Sequence, residues 1–439
     1  MPRSVRIFLL VVLAGTFYFS IQARKWEKNR VLIYDVSLYY TYLPALVIYN
    51  DLKMEKAWDY DLFPHHVAHA PQQRLKRPLK VTYGVSVFYA PFFFIAHALA
   101  EPLGFEPTGY SEIYAIALIV SSIFWLIVGL WFLAKFLLRR ASPMATIVTL
   151  TVLYVGTNLL YYVVYRSPMS HVYSFAIISM LLFIFDPKYT RKEWLFWGGL
   201  AAVLAMVVRP VNLLLILPIA IFWLWHRDRD LSLRKEVLPV LIGGIIPPIP
   251  QLLYWKSLTG KWLYNPYVNE GFFWNDPKII EGFFSWRSGW LIYTPIMLFG
   301  IWALWRDALN GDLRSKLTTL ILLLYWYVTF AWWCWWYGGS YSIRPLIDSY
   351  PLFALPLALM FDGWNLKNWS KLMYIPLALL ISYNVLTTYQ YDRIIIHWDG
   401  MTRDSYRMIF LRTQNPPEKR ATLERPDYEA AKLGEPGAR

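Results

Sequence analysis

The sequence predicts an all-α polytopic membrane protein, with about eleven transmembrane helices and interfacial helices in a long first outer loop. Three observations predict it. Of the 439 residues, 57 % are hydrophobic and only 16 % are charged, whereas a soluble domain carries roughly 25 % charged residues. Runs such as "VRIFLLVVLAGTFYFSIQA", "IYAIALIVSSIFWLIVGLWFLAKFLL" and "LTTLILLLYWYVTFAWW" reach the ~20 apolar residues that a helix needs to cross ~30 Å of hydrocarbon. Short basic loops recur around Arg139, Arg191, Arg229, Arg314 and Lys371, and by the positive-inside rule these face the cytoplasm together with Arg3 and Arg6.

The elements follow in order. Residues 5 to 23 are too long and too poor in a small-residue cleavage site for a signal peptide, and read as a retained anchor. Residues 24 to 111 form the first outer loop. Within it, "VTYGVSVFYAPFFFIAHALA" (81 to 100) is apolar, yet if it crossed, every later basic loop would be inverted. It is therefore expected to be interfacial or re-entrant. Spans are expected at 112 to 138, 144 to 165, 168 to 185, 194 to 208, 210 to 225 and 237 to 255. The pair 194 to 225 is divided at "VVRPVN", where Pro210 breaks the helix and leaves Arg209 near the outer surface. A second outer loop, 256 to 288, precedes spans at 289 to 305, 317 to 336, 346 to 361 and 371 to 389. Residues 1 to 390 thus make one transmembrane domain, and 391 to 439 a short outer-side tail. The last two dozen residues, "PPEKRATLERPDYEAAKLGEPGAR", are polar and expected to be disordered.

The net charge of +14 is explained by these loops, so no nucleic-acid partner is expected. Cys334 is the single cysteine, which excludes an intrachain disulfide and a cysteine metal cluster.

Given this topology, the ionisable residues outside the basic loops fall on the outer side: Asp35 in "RVLIYDVSLYY", Arg166 and His171 in "YRSPMSHVYS", Arg209, Arg287 in "FFSWRSGWLIYTP", and Arg344 with Asp348 in "GGSYSIRPLIDSYP". The span centres are almost free of charge. A secondary transporter usually carries polar groups at the midplane, so transport is disfavoured. Each residue also has a plainer role. Asp35 suits a helix N-cap, arginines at helix ends snorkel to the headgroups, and His171 suits an interfacial position. "DYDLFPHHVAHA", residues 59 to 70, offers two carboxylates and three histidines to a metal such as Zn²⁺ or Mn²⁺. Its spacing matches no tight metal motif, so a solvated loop, with no metal and no cofactor, is expected.

Four of these features come together: the lone acid Asp35 in the first outer loop, Lys80 ahead of an interfacial helix in "RPLKVTYGVSVFYAPFF", the Arg209-Pro210 break, and the late outer-side Arg344. In this the chain resembles the GT-C glycosyltransferases, in the branch of the protein O-mannosyltransferases and the lipid A aminoarabinose transferase. The likeness covers residues 5 to 390 in architecture and only these stretches in motif. It departs from the family's acidic pair, since Val36 follows Asp35, and "RPLK" stands where the family has Pro-Pro.

The resemblance implies transfer of a sugar, with inversion, from a polyprenyl-phosphate carrier to a hydroxyl of a lipid, glycan or protein acceptor. The reaction would occur at the outer, periplasmic face of a bacterial inner membrane. Asp35 is then the general base, and Arg209, Arg344, Arg287, Arg166, His171, Lys80 and Asp348 bind substrate. The chemistry suits the residues. A departing phosphate needs fixed positive charge, arginine stays ionised and grips phosphate with two donors, and the attacking hydroxyl needs one positioned base. Two other classes remain open: an O-antigen ligase or polymerase using a pyrophosphate donor, and a non-enzymatic carrier or flippase for lipid-linked sugars.

Overall fold

The computed structural model describes residues 1–28, 30–53, 78–226, 233–268, 270–365, 372–435 and 437–438. The histidine-rich stretch 59 to 70 lies outside the described residues, as do the centres of the loops at Arg229 and Lys371. Among the described residues the only strand-like pairing is one antiparallel bridge between Phe272 and Trp332. All other regular structure is helical.

In chain order the first helices are α1 (Arg3–Ala23), α2 (Asp35–Val47), α3 (Gly84–Ala100), α4 (Glu112–Leu137), α5 (Pro143–Tyr154) and α6 (Leu159–Val164). There follow α7 (Ser170–Ile184), α8 (Lys192–Val208), α9 (Asn212–His226), α10 (Leu233–Ile245), α11 (Pro248–Thr259) and α12 (Ile279–Phe284). The last are α13 (Trp290–Tyr293), α14 (Met297–Leu309), α15 (Leu313–Ala331), α16 (Tyr350–Asn365), α17 (Tyr374–Asp392), α18 (Arg403–Ile409) and α19 (Tyr428–Leu433).

Among the described residues, five stretches are long and apolar enough to cross a membrane: Arg3–Ala23, Gly84–Leu103, Glu112–Leu137, Lys235–Thr259 and Arg344–Trp364. This is the build of an integral membrane protein. Four of the five overlap expected spans. The other, Gly84–Leu103, is the stretch that the basic loops argue should not cross. Several expected spans are interrupted. Residues 144 to 165 break between α5 and α6, and 289 to 305 break at Thr294–Pro295, where proline has no N–H to continue a helix. The break at Pro210 falls where the sequence puts it, between α8 and α9.

The chain divides into two compact units, Leu9–Phe132 with Tyr162–Val268, and Met1–Phe8 with Leu133–Tyr161 and Asn269–Arg439. In the first, α8 packs closely on α10. A Cβ at Gly199 would run into the Val240 backbone, so the small residue is what permits the approach. In the second, the Ser142 amide and hydroxyl both bond to the Asp362 carboxylate, tying the start of α5 to α16.

The C-terminal segment departs from the expected disorder. Residues Pro417–Thr422 form a 3-10 turn and Tyr428–Leu433 a short helix. Lys419 is 3 % exposed, and its Nζ donates to the carbonyls of Ile394 and Ile395 at 3.0 and 2.7 Å. Tyr428 donates to Asp399 Oδ2 at 3.0 Å and its ring meets those of Trp333 and Trp336. A few polar side chains finding buried partners suffice to order a segment whose composition is that of a disordered one.

Candidate functional site

In the unit containing Leu9–Phe132 and Tyr162–Val268, the start of α3 organises the candidate residues. Ser86 and Tyr89 are three apart on α3, which sets them on one side of the helix, and Thr82 lies in the turn just before it. Each hydroxyl donates to a backbone carbonyl on a different segment: Thr82 to Val207, Ser86 to Tyr39, and Tyr89 to Pro168, the last at 2.5 Å. Arg209 follows Val207 by two residues, Asp35 precedes Tyr39 by four, and Arg166 precedes Pro168 by two. Lys80 leads into the same helix. The start of α3 and the turn before it therefore gather segments that carry four of the sequence candidates. The approach depends on Gly84, where a Cβ would come within 2.5 Å of the Val208 amide nitrogen.

Asp35 is the first residue of α2, and no side-chain cap bond forms at Tyr34 before it. The carboxylate therefore sits in the first turn, where it complements the helix dipole, and the N-cap reading is replaced. Tyr34 has φ 51° and ψ −130°, a region that costs a non-glycine residue about 1–3 kcal/mol and tends to mark functional positions. The Arg166 guanidinium lies over the Tyr34 ring at 5.0 Å, and Lys25 lies over Tyr165 at 5.7 Å. Tyr39 donates to Ser170 Oγ at 3.4 Å, which draws the start of α7, and with it His171, to α2. Asp35 and Arg166 are half-buried, as are Lys80 and Arg209. His171 is fully buried within the protein and meets the edge of Tyr162 at 5.9 Å.

Lys80 lies over Tyr267 at 5.1 Å, and its neighbour Leu79 donates its N–H to the Tyr254 hydroxyl at 3.1 Å. Arg209 occupies the extended residue that ends α8, with its N–H still bonded to the Ala205 carbonyl at 3.0 Å. Asn212, at the start of α9, donates to Ser174 Oγ and the Ala205 carbonyl at 2.9 and 3.0 Å. It thereby fixes the angle at which the chain leaves the Arg209-Pro210 break.

The other unit holds Arg287, Arg344 and Asp348. The Arg287 guanidinium lies over Trp336 at 5.1 Å. Burial pushes its pKa down, against the pull of Asp399, Tyr428, Cys334 and Glu424. Arg344 opens a 3-10 segment, Arg344–Ser349, in which Asp348 is fully buried. The Tyr325 hydroxyl holds that segment through the Pro345 carbonyl at 2.7 Å. The stretch is therefore a packed corner.

This unit also contains a polar network that the sequence reading missed. Asn384 Nδ2 donates to the Val155 and Thr157 carbonyls, both at 2.8 Å, at the break between α5 and α6. The Tyr341 hydroxyl donates to Asn384 Oδ1 at 3.3 Å. Asn158 Nδ2 donates to the Tyr341 carbonyl at 3.2 Å, and the Tyr350 hydroxyl to Asn158 Oδ1 at 2.6 Å. Non-helical backbone surrounded by apolar protein must find such partners. An uncharged amide gives little signal in a scan for charges. Both residues do stand alone in apolar runs, "VLYVGTNLLYYVV" and "LALLISYNVLTTY", and that is the signal by which they were detectable. The hydroxyls of Ser86 and Tyr89, three apart in an apolar run, were equally legible.

The fold and these clusters define an all-α protein with the helices of an integral membrane protein. No protein-family profile, no curated protein and no solved structure matches the chain.

Proposed function

We propose that this protein is a membrane glycosyltransferase of the GT-C type that moves a sugar from a polyprenyl-phosphate carrier to an acceptor hydroxyl at the outer membrane face. Asp35 takes the proton of the attacking hydroxyl, and arginines hold the carrier phosphate. The observation that carries this reading is the start of α3 and the turn before it, where Thr82, Ser86 and Tyr89 gather the segments of Arg209, Asp35 and Arg166. One half-buried acid and several half-buried cations within one compact unit are what proton removal and phosphate departure require. The unfavourable backbone of Tyr34, directly before Asp35, supports the same reading.

The proposal includes the eleven-span topology, in which 81 to 100 stays at the outer face although its helix is long enough to cross. The first test is transfer of sugar by the purified protein from a defined polyprenyl-phosphate sugar to candidate acceptors. Transfer supports the reading. Movement of the donor across vesicles without transfer identifies a carrier, and transfer only from a pyrophosphate donor identifies a ligase. A cysteine placed at exposed Glu106 tests the topology: labelling from the cytoplasm alone overturns it.

A further inference from the structure

In the unit that contains Asn269–Arg439, α19 is held to the fold by isolated contacts. It is reached through residues 423 to 427, which have no helical structure and include Pro426. The 3-10 turn before them is anchored: Lys419 is buried on the Ile394 and Ile395 carbonyls, and the Thr402 hydroxyl donates to the Thr422 carbonyl at 2.8 Å. Beyond it the Glu424 N–H donates to the Gly400 carbonyl at 3.0 Å and Tyr428 to Asp399 Oδ2 at 3.0 Å. Lys432 lies over Trp333 at 5.5 Å, and a Cβ at Gly434 would come within 2.4 Å of the Phe273 ring. Within the six residues of α19 only Ala431 is buried, and Leu433 is exposed. A short helix that buries so little apolar surface opens at far lower free energy than the whole fold.

What α19 covers sets it apart from a tail at rest. The Tyr428 ring meets Trp336 at 5.7 Å and Trp333 at 6.2 Å, and the Arg287 guanidinium lies over the same Trp336 ring. Cys334, the single cysteine, stands between the two tryptophans in the chain; it is buried and within electrostatic reach of the Tyr428 phenol. The Tyr337 N–H closes a turn on the Cys334 carbonyl at 2.8 Å, and a Cβ at the next residue, Gly338, would come within 3.0 Å of the Tyr428 hydroxyl. That hydroxyl also satisfies a buried acid. Asp399 Oδ1 faces His397 Nδ1 at 3.3 Å, but this nitrogen already accepts the Gly400 N–H, so the phenol is the side-chain donor that Asp399 receives.

We propose that α19 is a lid over the Arg287–Trp336 surface, latched by the Tyr428–Asp399 bond. It swings on residues 423 to 427 while the turn at Lys419 stays anchored. The lid stands on these contacts alone. That the surface beneath it receives substrate rests on the glycosyltransferase reading, in which Arg287 binds substrate.

Cys334 supplies the test, because no other thiol competes. The intact chain in detergent should react with a neutral maleimide at a rate set by opening of the lid. Tyr428→Phe, which removes only the latch hydroxyl, should raise that rate about three- to ten-fold with little change in the thermal unfolding midpoint. Hydrogen exchange read by mass spectrometry follows the same opening without the thiol and without a variant. Residues 427 to 434 should exchange faster than α15, and Tyr428→Phe should accelerate them alone. A Cys334 labelling rate unchanged in Tyr428→Phe overturns the proposal, because α19 would then only fray. Exchange of α19 in step with α15 overturns it as well, because the segment would then open only when the unit unfolds. Neither measurement reads sugar transfer, so a lid that opens in a chain that transfers no sugar refutes the glycosyltransferase reading and leaves the lid standing.

Discussion

The two compact units satisfy their buried polar groups in different ways. In Leu9–Phe132 with Tyr162–Val268, single hydroxyls at and just before the start of α3 each reach one carbonyl of another segment. In the unit that contains Asn269–Arg439, the amides of Asn158 and Asn384 and the phenols of Tyr341 and Tyr350 bond to one another and to a broken helix. A single hydroxyl bond contributes ~0.5–1.5 kcal/mol. Removing an amide that serves several buried partners leaves each of them unsatisfied and costs more. The first unit should therefore tolerate loss of its half-buried charges structurally, so that such losses read out as function. The second should register loss of its amides as instability.

The largest effect tests the functional half of this contrast. Asp35→Asn should lower sugar transfer by roughly 10²- to 10⁴-fold, the usual loss for a general base. The change should alter thermal stability little, since a charge at the first turn of a helix contributes only ~0.3–1 kcal/mol. Transfer at near wild-type rate with intact fold would leave Asp35 a structural residue. Next comes Asn384→Leu, which strands the Val155 and Thr157 carbonyls and should cost about 2–5 kcal/mol, measured by thermal unfolding in detergent. An unchanged midpoint would remove the distinction between the units.

Arg209→Gln should weaken donor use by about ten-fold, as loss of a charge-assisted phosphate contact does. Arg344→Gln sharpens the comparison, because it lies in the other unit. A similar loss would make both units serve the donor, and unchanged kinetics would leave Arg344 as part of its packed corner. Smaller again is Thr402→Ala. Thr402 and Ser405 cap α18 reciprocally, and loss of the threonine should cost ~1 kcal/mol, seen as faster proteolysis of the C-terminal segment.

The smallest effect is a pH dependence of that same segment. His397 is 5 % exposed, and its Nδ1 accepts the Gly400 N–H at 3.0 Å, a bond that needs the neutral ring. Burial lowers its pKa, Arg425 and Lys419 act in the same direction, and Asp399 opposes them. The folded chain thus binds this proton less readily than the unfolded chain. The contribution to stability is complete above the ordinary histidine value of about 6.5 and is lost as pH falls below it. Proteolysis of residues beyond 390 should accelerate on acidification below about pH 6.5, and His397→Gln should remove that dependence. A wild-type segment equally resistant at both pH values would refute it.

The sequence by itself determined the membrane character, the helix break at Pro210 and the identity of the charged candidates. These depend on local quantities: the length of apolar runs, the lack of an N–H on proline, and the scarcity of charge. Its errors were also local in origin. Composition marked the last two dozen residues as disordered because it does not register the partners of Lys419 and Tyr428. Tertiary structure alone decided which candidates share a unit, that His171 and Asp348 are buried, and that Asn158 and Asn384 support a broken helix. The physical reason is distance along the chain. The bonds from Thr82, Ser86 and Tyr89 span 125, 47 and 79 residues, and a hydrogen bond between residues so far apart is fixed by packing, not by local pattern.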